Sequence, residues 1–180
     1  MKNNIHDLRR YSFQKGERFL LDTNIWLFLF PPPGNPNPKV VAQYSSGFAR
    51  IRAARSDVVM EPTVLGEYAN RYARIEYEAV KSGFKDYKAF RRSKTFSLVG
   101  NKVRLNLTKI LGFCTSCDIP FASFDMPSLL ASFESGELDI SDGLLLETCK
   151  NCGLKLVTND SDFREGGIDV LTTNPTLLHI

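Results

Sequence analysis

Residues 18–30 read RFLLDTNIWLFLF, and the point where the two apolar runs are interrupted decides the fold. The first run is short and ends in a carboxylate, Asp22, which is the pattern of a buried strand whose last residue reaches a polar edge. Thr23 or Asn24 then supplies a cap for a helix through IWLFLF. The stretch PPPGNPNP at 31–38 must be a loop, because proline lacks the amide hydrogen a continuing helix needs. A strand that passes directly into a helix is how a parallel α/β sheet begins.

The same alternation runs through the rest of the chain. DVVM at 57–60 is strand-like, and Pro62 or Thr63 opens a helix through VLGEYANRYARIEYEAV that Ser82-Gly83 breaks. Helical stretches are expected over 86–94 and 101–117, followed by the strand-like IPFASF at 119–124 and a short helix at 127–133. Residues 139–141 introduce a helix over 143–151 that Gly153 ends, and strands are expected at 154–157 and 169–171. Neither a repeat nor a long linker interrupts this pattern. The fold class is α/β, a three-layer α/β/α sandwich with a central, mostly parallel sheet covered on both faces. The expected organisation is a single domain over residues 1–180.

The chain has 180 residues, 43% of them hydrophobic and 24% charged, which suits one globular domain and excludes a disordered or fibrous chain. Its longest apolar run, 25–30, falls far short of the roughly 20 residues of a membrane-spanning helix. The opening MKNNIHDLRRYSFQ carries charges and amides where a secretory signal would be apolar, so a cytoplasmic location is expected. The net charge of +3 hides an asymmetry: residues 1–70 sum to +3, 71–109 to +8 and 110–180 to −8. One surface could therefore hold a polyanion and another could hold cations.

Four acids stand where apolar elements stop: Asp22 after FLL, Glu67 one turn into the helix after VMEPTV, Asp142 at the start of GLLLETC, and Asp160 after KLVTN. In an open parallel sheet, ligands bind beyond the carboxyl ends of the strands, where helix N-termini also converge. Four carboxylates brought together there would repel by several kcal/mol (~, at an effective dielectric near 20), so a counter-ion is needed. All-oxygen ligation suits Mg²⁺ or Mn²⁺. Each acid also has a plainer reading: Asp142 as a helix-terminus charge, Asp160-Ser-Asp162 as a turn, Glu67 as a solvated helix residue.

On the residues LLDTN at 20–24, the Glu of PTVLGEY, ISDGLLLETCKNCG with Asp142, and LKLVTNDSDF ending in Asp160 and Asp162, the chain resembles the PIN-domain ribonucleases, which include the VapC-type toxins of bacterial toxin–antitoxin pairs. The resemblance spans about residues 18–171 with the motifs in order. It implies a PIN-like sandwich and a metal-dependent nuclease acting on RNA, less often DNA. Asp22, Glu67, Asp142 and Asp160 would be its catalytic, metal-holding acids, with Asp162 as a substitute for the last and Thr23 and Thr158 as hydrogen-bond donors steadying the carboxylates. One or two Mg or Mn ions, about 4 Å apart if two, would activate water for attack on phosphorus, leaving 5′-phosphate and 3′-hydroxyl ends. RNA is the implied partner; the toxin branch leaves open an antitoxin protein and a homodimer, and no membrane partner is expected. Three features depart from the usual toxin: the enlarged basic helical segment at 71–109, the insertion PPPGNPNP, and Gly143 where a small alanine usually follows the third acid.

Lys81, Lys85, Lys88 and Arg92 recur at helical spacing with Arg91 and Lys94 alongside, a stripe that could track a phosphate backbone although Gly83 interrupts it. Tyr77, Val80, Phe84 and Tyr87 form the adjoining core face, while an exposed Tyr87 or Phe90 could stack on a base. Cys114/Cys117 and Cys149/Cys152 are two CxxC pairs with 31 residues between them, more than the 15–20 of compact zinc ribbons. Reduced, buried thiols are the reading preferred over a four-thiolate zinc site. His6 and His179, near the termini, are assigned no catalytic role. Two alternatives stand beside the nuclease: a non-catalytic module binding RNA or protein, and a phosphohydrolase of another α/β class with Asp22 as nucleophile, which lacks the usual second Asp because Asn24 is there.

Overall fold

The computed structural model describes residues 1–34 and 37–179. Six strands, β1 (Asn4–Asp7), β2 (Arg18–Leu21), β3 (Asp57–Met60), β4 (Cys114–Ser116), β5 (Lys155–Val157) and β6 (Asp169–Thr172), form one sheet in the order β1-β6-β5-β2-β3-β4. Every pairing between these strands is parallel. The inner strands read as unbroken apolar runs because both faces are covered: Phe19, Leu20, Leu21, Val58, Val59, Leu156 and Val170 are all buried.

The connections carry α1 (Thr23–Leu29), α2 (Pro38–Ala53), α3 (Pro62–Val80), α4 (Tyr87–Arg91), α5 (Lys94–Leu111), α6 (Met126–Ser135), α7 (Ile140–Cys152) and α8 (Pro175–Leu178). Helices α1, α2, α3 and α5 pack on one another, while α6 and α7 form a separate pair. The molecule is therefore the expected α/β/α sandwich. The proline-rich stretch 31–38 includes Asn35 and Pro36, which lie outside the described residues, and Pro38 itself is the first residue of α2.

Several expectations are corrected. The fourth strand is not IPFASF at 119–124 but Cys114–Ser116: Pro120 cannot join a ladder, Phe121 is 73% exposed, and residues 121–123 make a 3-10 turn. The helix expected over 101–117 runs instead over 94–111, started by the Ser93 hydroxyl, which accepts from the Phe96 amide at 3.2 Å, and ended at Gly112. This frees Cys117 to leave the edge strand, where it forms a disulfide with Cys152 at the end of α7, their Cα atoms 6.8 Å apart. Reduced thiols are thus found only at Cys114 and Cys149; burial pushes Cys114 up to about 12 and raises Cys149 further. Strand β1 and helices α2 and α8 were not anticipated.

The basic stripe is not one helical face. It is broken by the 3-10 turn Lys81–Gly83 after α3 and restarts in the one-and-a-half turns of α4, capped by Asp86. Phe90 is not exposed for stacking either: at 0% exposure it sits among Tyr77, Phe84, Tyr87 and Phe96.

Candidate active site

Strand register positions the first acid. Leu21 pairs with Val157, and the Asp22 amide donates to the Val157 carbonyl at 3.0 Å, so Asp22 and Thr158 leave the sheet side by side. Asp22 occupies the cap position of α1, yet its side chain caps nothing. One carboxylate oxygen instead accepts from the Thr158 hydroxyl at 2.6 Å and from Asn24 Nδ2 at 2.5 Å, and the residue is only 5% exposed. Burial raises its pKa to about 6, partly offset by the Thr158 bond and reinforced by the charges of Glu67 and Asp160.

Glu67 comes from the second turn of α3. Its Oε2 accepts from the buried Thr23 hydroxyl at 2.9 Å and its Oε1 from Arg71 at 3.1 Å. Among the described residues, Arg71 is the one cation ion-paired to any of the four proposed acids. Asp142 lies in the first turn of α7, where the helix is capped by Asp139, whose carboxylate accepts the Asp142 amide at 2.9 Å. The Asp142 side chain is thereby left for another use. Burial first, then the charges of Asp139, Asp22, Asp160 and Glu67, raise it to about 7. Directly after it, Gly143 allows α6 to approach: a Cβ there would lie 2.9 Å from Leu129 Cγ, which accounts for the absent alanine.

Asp160 is held by the loop after β5. Its amide donates to Thr158 Oγ1 at 3.0 Å, and its carboxylate accepts the Asp162 amide at 3.1 Å, so the turn reading and a place near Asp22 hold together. Asp162 is exposed and lines a different cavity with Ser128, Glu137 and Lys150. Asp22, Glu67, Asp142 and Asp160 thus lie within reach of one another's charges, whereas Asp162 lines the separate cavity. Among the described residues, no three His, Cys, Asp or Glu side chains are drawn tightly enough to hold a metal ion.

Thr23 and Thr158 donate to Glu67 and Asp22 as expected, but sequence reasoning missed two further residues that hold this arrangement. Asn24 spans it, donating to Asp22 and accepting from the Asn159 amide at 3.1 Å. Tyr44, from the unanticipated α2, places its hydroxyl 3.0 Å from the Thr158 carbonyl and 2.9 Å from Asn159 Oδ1, and accepts from the Thr173 amide at 3.1 Å. A polar Tyr at the buried spacing of Tyr44, Gly47 and Ile51 is the signal that could have found it. Of the basic candidates, Lys81 pairs with Glu78 at 2.8 Å and Arg91 lies over the Phe96 ring; Lys85, Lys88 and Arg92 are exposed.

A family model described as PIN domain matches residues 19–168, a span that contains all four acids. No curated protein matches the chain.

Proposed function

The chain belongs to the PIN-domain family, whose members are in general divalent-metal-dependent nucleases, and from that premise we propose that it is an endoribonuclease that hydrolyses phosphodiester bonds at Asp22, Glu67, Asp142 and Asp160. One observation carries the reading: Asp22 is buried at the end of a central strand, caps no helix, and lies close enough to Glu67 and Asp160 to be raised by their charges. A carboxylate that serves the fold would be used as a cap or paired with a cation.

The donor set suits a hard ion. It offers carboxylate oxygens, with a single arginine against four acids. Asp22, Asp142 and Asp160 would hold Mg²⁺ or Mn²⁺, with Glu67 beside them. Such an ion, when bound, lowers the pKa of a coordinated water and stabilises charge on the phosphate oxygens. The protein's part is orientation: Thr158 and Asn24 fix one Asp22 oxygen, Thr23 turns Glu67, and Asp139 caps α7 by accepting the Asp142 amide. Exposed Lys85, Lys88 and Arg92 belong to the same reading as contacts for outlying RNA phosphates, as do an antitoxin partner and a homodimer.

The test is cleavage of RNA by the purified protein with Mg²⁺ or Mn²⁺, compared with the Asp22→Asn/Asp142→Asn double variant. Loss of at least 100-fold is expected. Undiminished cleavage by the double variant would overturn the assignment, and a trapped phosphoaspartate at Asp22 would replace it with the phosphohydrolase.

A further inference from the structure

Two cavities of about 310 and 300 Å³ share Arg9, Lys39 and Gln43 and so form one groove along α2. One end reaches Gly47 and Arg50; the other reaches Asn159, which is peptide-bonded to Asp160, and Asn174. Neither cavity has an Asp or Glu in its wall. Arg50 is fixed by the carbonyls of Leu8, Arg9 and Tyr11, neutral acceptors that leave its charge uncompensated. Arg9 is paired with Asp7 at 2.7 Å, whereas Lys39 makes no ion pair among the described residues.

Donors without partners line the same groove. Among the described residues, neither the Gln43 side-chain amide nor Asn159 Nδ2 donates a hydrogen bond, although Asn159 is held in place through its Oδ1 and its carbonyl, the latter by Asn174 Nδ2 at 2.7 Å. The first turn of the 16-residue α2, with Lys39 in it, adds the positive end of a helix dipole. Residues from four segments thus line a groove of one sign that leads into the loop carrying Asp160. By contrast, the cavity beside the basic segment is about 130 Å³ and lined largely by Ala73, Phe96 and Val99 with Tyr87 and Arg91.

We propose that the Lys39–Gln43–Asn159 groove holds the phosphodiester backbone of single-stranded RNA as it enters the site at Asp160. The identity of the substrate rests on the nuclease reading; the polyanion-binding character rests on the groove itself. Two adjoining cavities of about 300 Å³ give room for a sugar-phosphate backbone to lie along α2.

The experiment is fluorescence anisotropy of a labelled single-stranded RNA oligonucleotide in EDTA, where no cleavage interferes, at several salt concentrations. Lys39→Glu should weaken binding about five- to tenfold and reduce the slope of log K against log salt by about 0.7, the share of one phosphate contact on a single strand. An acid in a first helical turn is favourable to the helix, so misfolding is not an expected cause. Gln43→Glu should weaken binding in the same sense, and Lys109→Glu, with the same change of net charge as Lys39→Glu, should stay within twofold of the wild type. Affinities of Lys39→Glu and Gln43→Glu within twofold of wild type, an equal loss in Lys109→Glu, or no binding by the wild type would each overturn the groove. Cleavage by the wild type in Mg²⁺ is scored separately: absent cleavage with Lys39-dependent affinity defeats the nuclease and leaves the groove, while cleavage with Lys39-independent affinity does the reverse.

Discussion

The Thr158 hydroxyl has three neighbours: it donates to Asp22 at 2.6 Å, accepts the Asp160 amide at 3.0 Å, and lies 3.2 Å from Asn24 Nδ2. One buried oxygen therefore fixes two proposed metal-holding acids relative to each other. Thr158→Val, which keeps the shape and removes the hydroxyl, is expected to lower RNA cleavage 10–100-fold with a higher Mg²⁺ requirement and to cost about 1–3 kcal/mol in unfolding free energy. Thr158→Ser should restore most of both. A merely packing role would show the reverse, with Val active and Ser impaired, so a Mg²⁺ titration of the two variants decides it. The four acids are proposed from the sequence on two different signals: Asp22 and Asp160 follow apolar strands, whereas Glu67 and Asp142 stand in the opening turns of helices. The hydroxyl and amide groups that orient them were only partly legible: Thr23 and Thr158 adjoin the acids in sequence, whereas Tyr44 reaches the site across 114 residues of chain separation.

Among the elements, helix α3, helix α7 with its Asp139 start and Gly153 stop, and the apolar strands β2, β3 and β5 were readable locally. Strand β1 was not, because NIHD has one apolar residue and becomes a strand only by pairing with β6. Strand β4 was hidden for the same reason: CTS lies at the sheet's other edge, while the more apolar IPFASF lies outside the sheet. The helical insertion between α3 and α5 is held by Phe90, buried against Tyr77, Phe84, Tyr87 and Phe96, with the Arg74 guanidinium 3.7 Å over Tyr87. Phe90→Ala is expected to cost about 3–5 kcal/mol and to make the segment around residues 81–93 the first site of limited proteolysis. Cleavage that begins elsewhere in the variant would show that this segment is anchored by other contacts.

Across the molecule, the two ends of the sheet treat charge in opposite ways. At the amino ends of the strands, Asp169 accepts from His6, Asn4 and Lys155, and Lys155 also reaches Glu17 at 3.2 Å. Burial alone would raise Asp169, but these bonds hold it at about 2, so its stabilising contribution is complete above the unfolded value of 3.8 and is lost as pH falls through 2. At the carboxyl ends, Asp22 and Asp142 are raised to about 6 and 7, and the sign reverses. The folded chain there binds protons more tightly than the unfolded chain, so between pH 4 and 7 stability falls as pH rises. Metal-free protein is therefore expected to melt highest near pH 4–5 and lower at pH 8. Asp22→Asn should flatten that decline and, at pH 8 in EDTA, raise stability by about 1–3 kcal/mol, on the basis of about 1.4 kcal/mol per unit of pKa. Added Mg²⁺ or Mn²⁺ should raise the wild-type melting temperature at pH 8 and leave Asp22→Asn nearly unmoved. Thermal unfolding across pH 4–8 with and without metal checks both arms; a wild-type profile that rises toward pH 8 in EDTA, or a metal response equal in the variant, would show that the carboxylates are compensated within the protein and need no ion.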